Sequence, residues 1–370
     1  MRILIICGSF YPIQAPRSFR STELAKEFAR QGHEVTVLTP RNNEVHNQFE
    51  QTHTIRIQNL GRRTYFAPLP ARGITHWLMR IRNRFLQLFF EYPHIQFYFQ
   101  VRRALKRQSG YDLLISVAVP HPIHWGVASV WRLGRSANNP AKVWVADCGD
   151  PFMYNRHDTF RKPFYFHYFE NNFLKKADYI TVPFEEMKDL FNRTYLDKFR
   201  VIPQGFRFSQ AQAYEYQPHP IPTFIYSGAV IPGHRDPFSL IEFLESEQVE
   251  YRFILYAKNH HQFNSFKALI GKRIFLRDYI PREQLLVELT KADFLVNVNT
   301  DRTGGIINAV PTKLIDYRIS GRPILSYEQS HLPTETIREF LVGNYRGQFV
   351  DENFDRYRIE NVAQKFLALD

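Results

Sequence analysis

The sequence predicts an α/β protein built from two doubly wound parallel-sheet domains that face each other across a cleft. Three observations lead there. Short apolar strands alternate with amphipathic helical stretches along all 370 residues, the alternation that builds helix-covered parallel sheets. The alternation stops at a polar, proline-containing stretch, Ser209 to Pro222, and restarts after it. Hydrophobic residues make up 44% of the chain with only 17 glycines, which supplies a core for each half and excludes a disordered or collagen-like chain. We place the first domain at 1–208, with a basic aromatic insertion at about 61–106, and the second at 209–370.

In the first half, Ile3 to Ile6 is apolar on both faces, as a covered parallel strand is. The loop Gly8 to Pro16 follows. A helix runs from about Ser18 to Arg30 with Leu24, Ala25 and Phe28 inward, Gly32 ends it, and Val35 to Leu38 is the next strand. Strand, helix and strand in that order give a right-handed crossover. Leu113 to Val117 and Val143 to Ala146 read as strands, Phe164 to Lys176 as a helix, Tyr179 to Val182 as a strand and Glu185 to Arg193 as a helix. Arg200 to Gly205 closes this half.

In the second half, Phe224 to Tyr226 is a strand ended by Ser227-Gly228. A helix over Phe238 to Glu245, strands at Phe253 to Tyr256 and Ile274 to Leu276, a helix over Glu283 to Thr290 and a strand at Phe294 to Asn297 follow. Pro311 and Thr312 open the next helix, since proline suits a first turn and threonine can cap free amides. Gly321 closes it and Pro323 prevents its continuation. Ile324-Leu325 is a last strand, and a closing helix runs from about Phe354 to Leu367.

The net charge of +12 implies acidic partners: nucleic acid, an anionic membrane face or phosphorylated substrates. Cys7 and Cys148 have neither zinc nor disulfide spacing and read as reduced core thiols, which suits the cytosol. Met1 to Cys7 is too short an apolar run for a signal peptide. No apolar run approaches the roughly 20 residues of a membrane span, so membrane contact is expected to be peripheral. Gly61 to Lys106 supplies a candidate. Trp77, Leu78, Ile81, Phe85, Leu88 and Phe89 form a helical stripe, with Arg80, Arg82 and Arg84 off it. This suits a helix lying in an anionic membrane interface, or equally a helix packed on the first domain with a basic outer face.

In open parallel sheets ligands bind beyond the carboxyl ends of the strands, so residues just after strands are the site candidates. Gly8 follows the first strand, where a missing side chain lets a ligand approach the backbone. Arg17 and Arg20 flank the next helix start and either contact an anion or are solvated. Asp147 and Asp150 follow another strand. Asp150 is a candidate to orient a sugar hydroxyl or act as a base, or it forms a turn. His121 and His124 are weaker candidates for an acceptor. In the second half, Gly228 and Gly233 allow a tight turn for phosphate and Arg235 supplies fixed charge, unless Arg235 pairs with Asp236 or Glu242. Thr303 to Asn308 could offer backbone amides to a sugar. Lys313 and Asp316 lie three apart near a helix start, where partial positive charge attracts anions; the plain alternative is a surface ion pair.

Together these segments resemble glycosyltransferase family 4, which has the GT-B fold of two Rossmann-like domains. The resemblance runs through Met1 to Ile5, Tyr11-Pro12, Pro16 to Arg20, Glu23 to Thr39, Asp147 to Pro151, Lys176-Ala177-Asp178, Val201 to Phe206, Tyr226-Ser227-Gly228, Arg235-Asp236-Pro237, Ile280 to Glu283, Ala292-Asp293 and Pro311 to Leu325. It implies a nucleotide-sugar donor in the second domain, a glycan or lipid-linked acceptor in the first, retention at the anomeric carbon, and neither metal nor cofactor. Arg235 and Lys313 would hold the diphosphate, Asp316 the ribose, and Arg17 and Asp150 would sit in the first-domain cleft. Catalysis would rest on Asp150, Arg235 and Lys313, and donor binding on Gly8, Arg17, Gly228, Asn308, Thr312 and Asp316 as well. The sequence departs from the family where Asn308 replaces the first glutamate of E-x7-E and where Ala229 replaces an arginine after Gly228. The expected role is synthesis of a cell-surface polysaccharide or glycolipid at the cytosolic membrane face. A sugar-nucleotide epimerase and a non-catalytic binding partner of the same fold are the competing readings, and no nucleic-acid partner is expected.

Overall fold

The structure is a computed structural model that describes residues 1–62, 64–69, 73–134, 136–154, 160–208, 216–300 and 312–369. The chain divides into two compact units, Met1–Phe206 with Asp355–Asp370, and Arg207–Phe354.

The first unit contains β1 (Arg2–Cys7), α1 (Pro16–Arg30), β2 (Glu34–Thr39), α2 (Asn43–His53), β3 (Ile55–Asn59), α3 (Ile74–Phe90), α4 (Gln96–Leu105), β4 (Tyr111–Ala118), α5 (Pro122–Ala128), β5 (Ala141–Cys148), α6 (Phe166–Lys176), β6 (Tyr179–Val182) and β7 (Phe199–Val201). Its seven strands order as β3-β2-β1-β4-β5-β6-β7, each pair parallel. Ile5 lies level with Val37 on one side and Ile115 on the other. Strands β1, β4 and β5 are buried on both faces along most of their length, which is why they read as apolar runs. On one face Trp144 of β5 packs with Trp125, Trp131 and Phe173. The other packs under Leu24 and Phe28 of α1.

The second unit contains β8 (Thr223–Ser227), α7 (Phe238–Ser246), β9 (Arg252–Tyr256), β10 (Ile274–Arg277), α8 (Arg282–Thr290), β11 (Phe294–Asn299), α9 (Thr312–Ile319), β12 (Ile324–Glu328) and α10 (Thr334–Leu341). Its five strands order as β10-β9-β8-β11-β12, again all parallel. Leu240, Ile241 and Leu244 of α7 pack with Ile337 and Phe340 of α10 in one core. Leu286 and Leu289 of α8 pack with Leu314 and Tyr317 of α9 in another.

Several expectations need correction. The closing helix is α11 (Ile359–Leu367), preceded by a 3-10 turn at Phe354–Tyr357. It belongs to the first unit, not the second, because Ile359, Val362, Ala363 and Phe366 fill the core against α1. The expected helix at Glu185 to Arg193 is two 3-10 turns, Glu185–Leu190 and Arg193–Lys198. Asn192 starts the second by accepting the Thr194 amide at 3.1 Å. Of the stretch read as a linker, 209–215 lies outside the described residues. Its remainder is tied to the second unit: Asp293 accepts the Thr223 and His219 amides at 2.7 and 3.2 Å and the Tyr216 hydroxyl.

Candidate functional site

Each sheet reverses its strand order once, between β1 and β4 in the first unit and between β8 and β11 in the second. Loops diverge at such points and leave a crevice at the carboxyl ends of the strands. The candidate residues gather at these two places.

In the first unit, Pro16 starts α1 and sets Arg17 and Arg20 one turn apart. They have different roles. Arg20 is buried and grips Asp147 with two hydrogen bonds of 3.0 and 2.7 Å. It also donates to the carbonyls of Pro203 and Ile202, and Thr181 donates to Asp147 at 2.6 Å. Burial alone would raise the Asp147 carboxyl, but Arg20, Arg17 and Thr181 hold it below the usual range. Arg20 and Asp147 therefore tie α1, β5 and the end of the unit together, which removes Arg20 from the ligand candidates. Arg17 lies flat on the backbone of Gly149: a side-chain carbon there would come within 1.7 Å of the guanidinium carbon. Burial lowers the Arg17 pKa, opposed by Asp147 and Asp150. Asp150 is exposed in the bend after β5, and its carbonyl accepts from the His121 ring at 3.0 Å.

Gly8 corrects the sequence reading. A side-chain carbon there would meet Pro120 Cδ at 2.7 Å and Phe97 at 3.2 Å. The absent side chain makes room for Pro120 and Phe97. His121 and His124 are core residues. His124 contacts Ser116 Oγ at 2.8 Å and Cys148 Sγ at 3.5 Å, and burial pulls His121 down to about 4.

In the second unit, Ser227 ends β8 and Gly228 turns the chain at a φ of +124°, which favours glycine. Asp236 organises the following loop, accepting the Gly233 amide at 2.6 Å and the Phe238 amide at 3.0 Å. It is thus spent on backbone and not on Arg235, whose buried Nε has no hydrogen-bond partner among the described residues. Lys313 comes from the first turn of α9. Its Cδ lies 3.7 Å from where a Gly228 side chain would begin, and its Nζ sits 4.2 Å from the Tyr226 ring centre. That ammonium is buried and likewise has no hydrogen-bond partner among the described residues. Burial, then Arg235, pulls its pKa well below the ordinary lysine value. The structure thus brings Gly228, Arg235 and Lys313 together, and places two under-satisfied cations at one strand edge.

Asp316 is not paired with Lys313. Arg282, at the start of α8, donates to it twice, at 2.9 and 2.6 Å. Burial raises the Asp316 carboxyl and Arg282 opposes this. Sequence reasoning quoted Arg282 only as part of a resembling segment and assigned it no role. It also missed Tyr317, whose hydroxyl accepts the Ser227 amide at 2.7 Å and donates to the Val296 carbonyl at 3.1 Å, fixing α9 across β8 and β11. The signal was present: Tyr317 falls at i+4 from Lys313, one turn behind it. Asn308 and the turn from Thr303 lie outside the described residues, as does the Thr312 side chain. Beside α8, Tyr256, Arg277, Ile280, Gln284 and Val287 line an open pocket of about 510 Å³.

The layout is that of the GT-B fold: two Rossmann-like units, each with its switch point at the strand ends. The family follows. The glycosyl transferase 4-like domain matches residues 19–205, just over half of the chain, and the chain belongs to that family. No curated protein sequence matches the chain. Among solved structures, the lipopolysaccharide outer core galactosyltransferase WaaB in its apo form is similar at TM-score 0.60 and 10% identity, covering 100% of this chain and 99% of that one. A mutant of S. aureus TarM in complex with Fondaparinux, alpha-GlcNAc-glycerol and UDP is similar at TM-score 0.59 and 11% identity, covering 100% and 99%. The UDP-GlcNAc 2-epimerase from Methanocaldococcus jannaschii is similar at TM-score 0.54 and 10% identity, covering 100% and 99%. At these identities the likeness is one of fold.

Proposed function

We propose that the chain is a glycosyltransferase that moves a sugar from a nucleoside-diphosphate sugar to a glycan or lipid-linked acceptor of the cell surface, with retention and without a metal on the diphosphate. The observation that carries this reading is the pair Arg235 and Lys313. Two basic side chains, each with a buried nitrogen (Arg235 Nε and Lys313 Nζ) that has no hydrogen-bond partner among the described residues, are unfavourable until an anion joins them. A diphosphate is such an anion. Held there, it would meet charge-assisted donors from Arg235 and Lys313 and the amides that open α9. Negative charge grows on the diphosphate as the bond to the sugar breaks, so the same groups would stabilise the transition state more than the ground state.

The nucleoside then lies toward α8, with Asp316 at the ribose hydroxyls and the base at the neighbouring open pocket. Asp316 would share its carboxylate between Arg282 and the ribose. In the first unit, Asp150 would orient the acceptor hydroxyl and Arg17 would face acceptor or donor charge. The neighbours support the substrate class, since one is named for a UDP-sugar and another is bound to UDP. Retention and independence from a metal rest on the family resemblance, and a cytosolic, membrane-peripheral location rests on the sequence pattern.

A thermal-shift and calorimetric screen of UDP, GDP and their sugars tests the reading. One nucleotide should stabilise the protein. Lys313→Ala and Arg235→Ala should each weaken it roughly 10- to 100-fold, the value of a charge-assisted hydrogen bond, with the fold intact. The anion should also raise the Lys313 pKa, opposing the effect of burial and Arg235. Affinity unchanged in both variants would refute the donor site, and no stabilisation by any nucleotide sugar would favour the non-catalytic reading that Ala229 and Asn308 invite.

A further inference from the structure

Helix α3 has an apolar stripe with an unusual direction. Its 17 residues contain no buried side chain. Ile74, Trp77, Leu78, Ile81 and Phe85 recur at helical spacing and form one face, yet Ile74 is 80%, Trp77 62% and Phe85 50% exposed. The opposite face is nearer the protein, with His76, Met79, Asn83 and Leu86 half-buried, and at the edge of the stripe Arg84 and Leu88 are half-buried as well. A helix that packs on its own domain does the reverse. The apolar stripe is exposed to solvent, and so are Arg80 and Arg82 beside it.

The helix is held in this pose. Tyr165 donates to the Phe89 carbonyl, Lys162 pairs with Glu91 at 2.5 Å just past its end, and the Arg84 guanidinium lies 5.3 Å from the Phe160 ring centre. These contacts bring a second aromatic segment alongside, where Phe160 is 53% and Phe164 78% exposed. Arg82 borders the stripe on one side and Arg84 on the other, with Arg80 beyond, and no acidic residue occurs from Ile74 to Phe90. Across 61–106 there are nine arginines and lysines against the single acid Glu91.

We propose that this face is a membrane-docking surface: α3 lies in the interface of an anionic bilayer, with its stripe and the flanking Phe160 and Phe164 among the acyl chains and the arginines on lipid phosphates. Aromatic side chains favour that depth, and arginine stems reach back to headgroups. The charge selects this occupant over a second copy of the chain, because self-docking along the stripe would bring two arginine-bordered rims together without acids to answer them. The helix lies on the bilayer and does not cross it: among the described residues no helix is long and apolar enough to span. The inference is independent of the donor-site reading.

Flotation of the full chain with vesicles tests it. The protein should float with vesicles containing phosphatidylglycerol, should float poorly with phosphatidylcholine alone, and should be released by salt. Trp77 is the reporter, since the other three tryptophans, Trp125, Trp131 and Trp144, are buried. Its emission should shift to the blue on anionic vesicles and be quenched by brominated acyl chains. Trp77→Ser with Phe85→Ser should weaken binding roughly tenfold or more, and Arg80→Gln with Arg82→Gln roughly five-fold per arginine. All four side chains are exposed, so the melting temperature should not move. Equal flotation by the serine variant, equal flotation on neutral lipid, or no flotation of the wild type overturns the proposal. So does a dimer in light scattering that the serine variant dissolves, which would assign the face to a second copy.

Discussion

Glu170 shows how a single buried group can set a pH profile. It lies in α6, where Oε1 accepts the Met153 amide at 3.3 Å and Oε2 has no partner among the described residues. Burial raises its pKa to about 7. An acid whose folded pKa exceeds its unfolded value contributes its full stability below the unfolded pKa, and that contribution is lost as pH rises through the folded one. Glu170 should therefore cost the native state on the order of 3 kcal/mol between pH 5 and 8. Glu170→Gln cannot ionise, so its stability relative to wild type should climb over that range in urea titrations. A difference that stays flat with pH would show that Glu170 is not protonated in the fold. Buried His121 and His124 titrate in the opposite sense, which is why the difference between the two proteins is the measurement. None of this was legible in the sequence, where Glu170 is one acid in an ordinary helical stretch. The same blindness affected Arg17 and Arg20. Both were candidates from their place at a helix start, and only the structure shows that Arg20 clamps Asp147 while Arg17 packs on Gly149.

At the scale of elements, legibility followed burial pattern. Strands buried on both faces, such as β1, β5 and β11, appear as short apolar runs and were read within a residue or two. Helix α9 was read almost to its ends, because Gly321 stops it: the structure gives that residue a φ of +71°, with the Ser320 amide closing on the Asp316 carbonyl at 3.1 Å. Gly321→Ala should accordingly cost about 1 kcal/mol, measured by chemical denaturation, and no loss would mean the terminus relaxes freely. Some missed elements do carry a pattern, such as α4 with Phe97, Val101 and Leu105 inward, α10 with Ile337 and Phe340 inward, and the alternating β3; others do not. Helix α2 buries only His46 and Phe49, too few to show a stripe. In α5 all seven residues are buried, so there is no polar face to reveal the turn of the helix. The loop after β8 was legible in kind: Gly228, Arg235 and Lys313 are named from strand-end position and lie near one another. Arg282 was not, because its partner lies across a fold contact, 34 residues away.

At the scale of the whole molecule, the chain crosses back. The first unit is completed by residues that follow the second, and an amphipathic pattern states that a helix buries a face without stating against what. Val362 and Phe366 of α11 enter the core beside Leu24 and Phe28, and the Phe366 ring centre lies 5.1 Å from the Arg20 guanidinium. The tail therefore backs the Arg20 clamp on Asp147. Phe366→Ala should cost about 3–5 kcal/mol, enough to lower the melting temperature by roughly 10 °C in a unit of this size. The loss should be local. Amide exchange should quicken in α1 and along β1, and should stay unchanged in α7 and α10, which share the core of the second unit. Exchange rising in α10 while α1 stays protected would return the closing helix to the second unit, where the order of the sequence alone had put it.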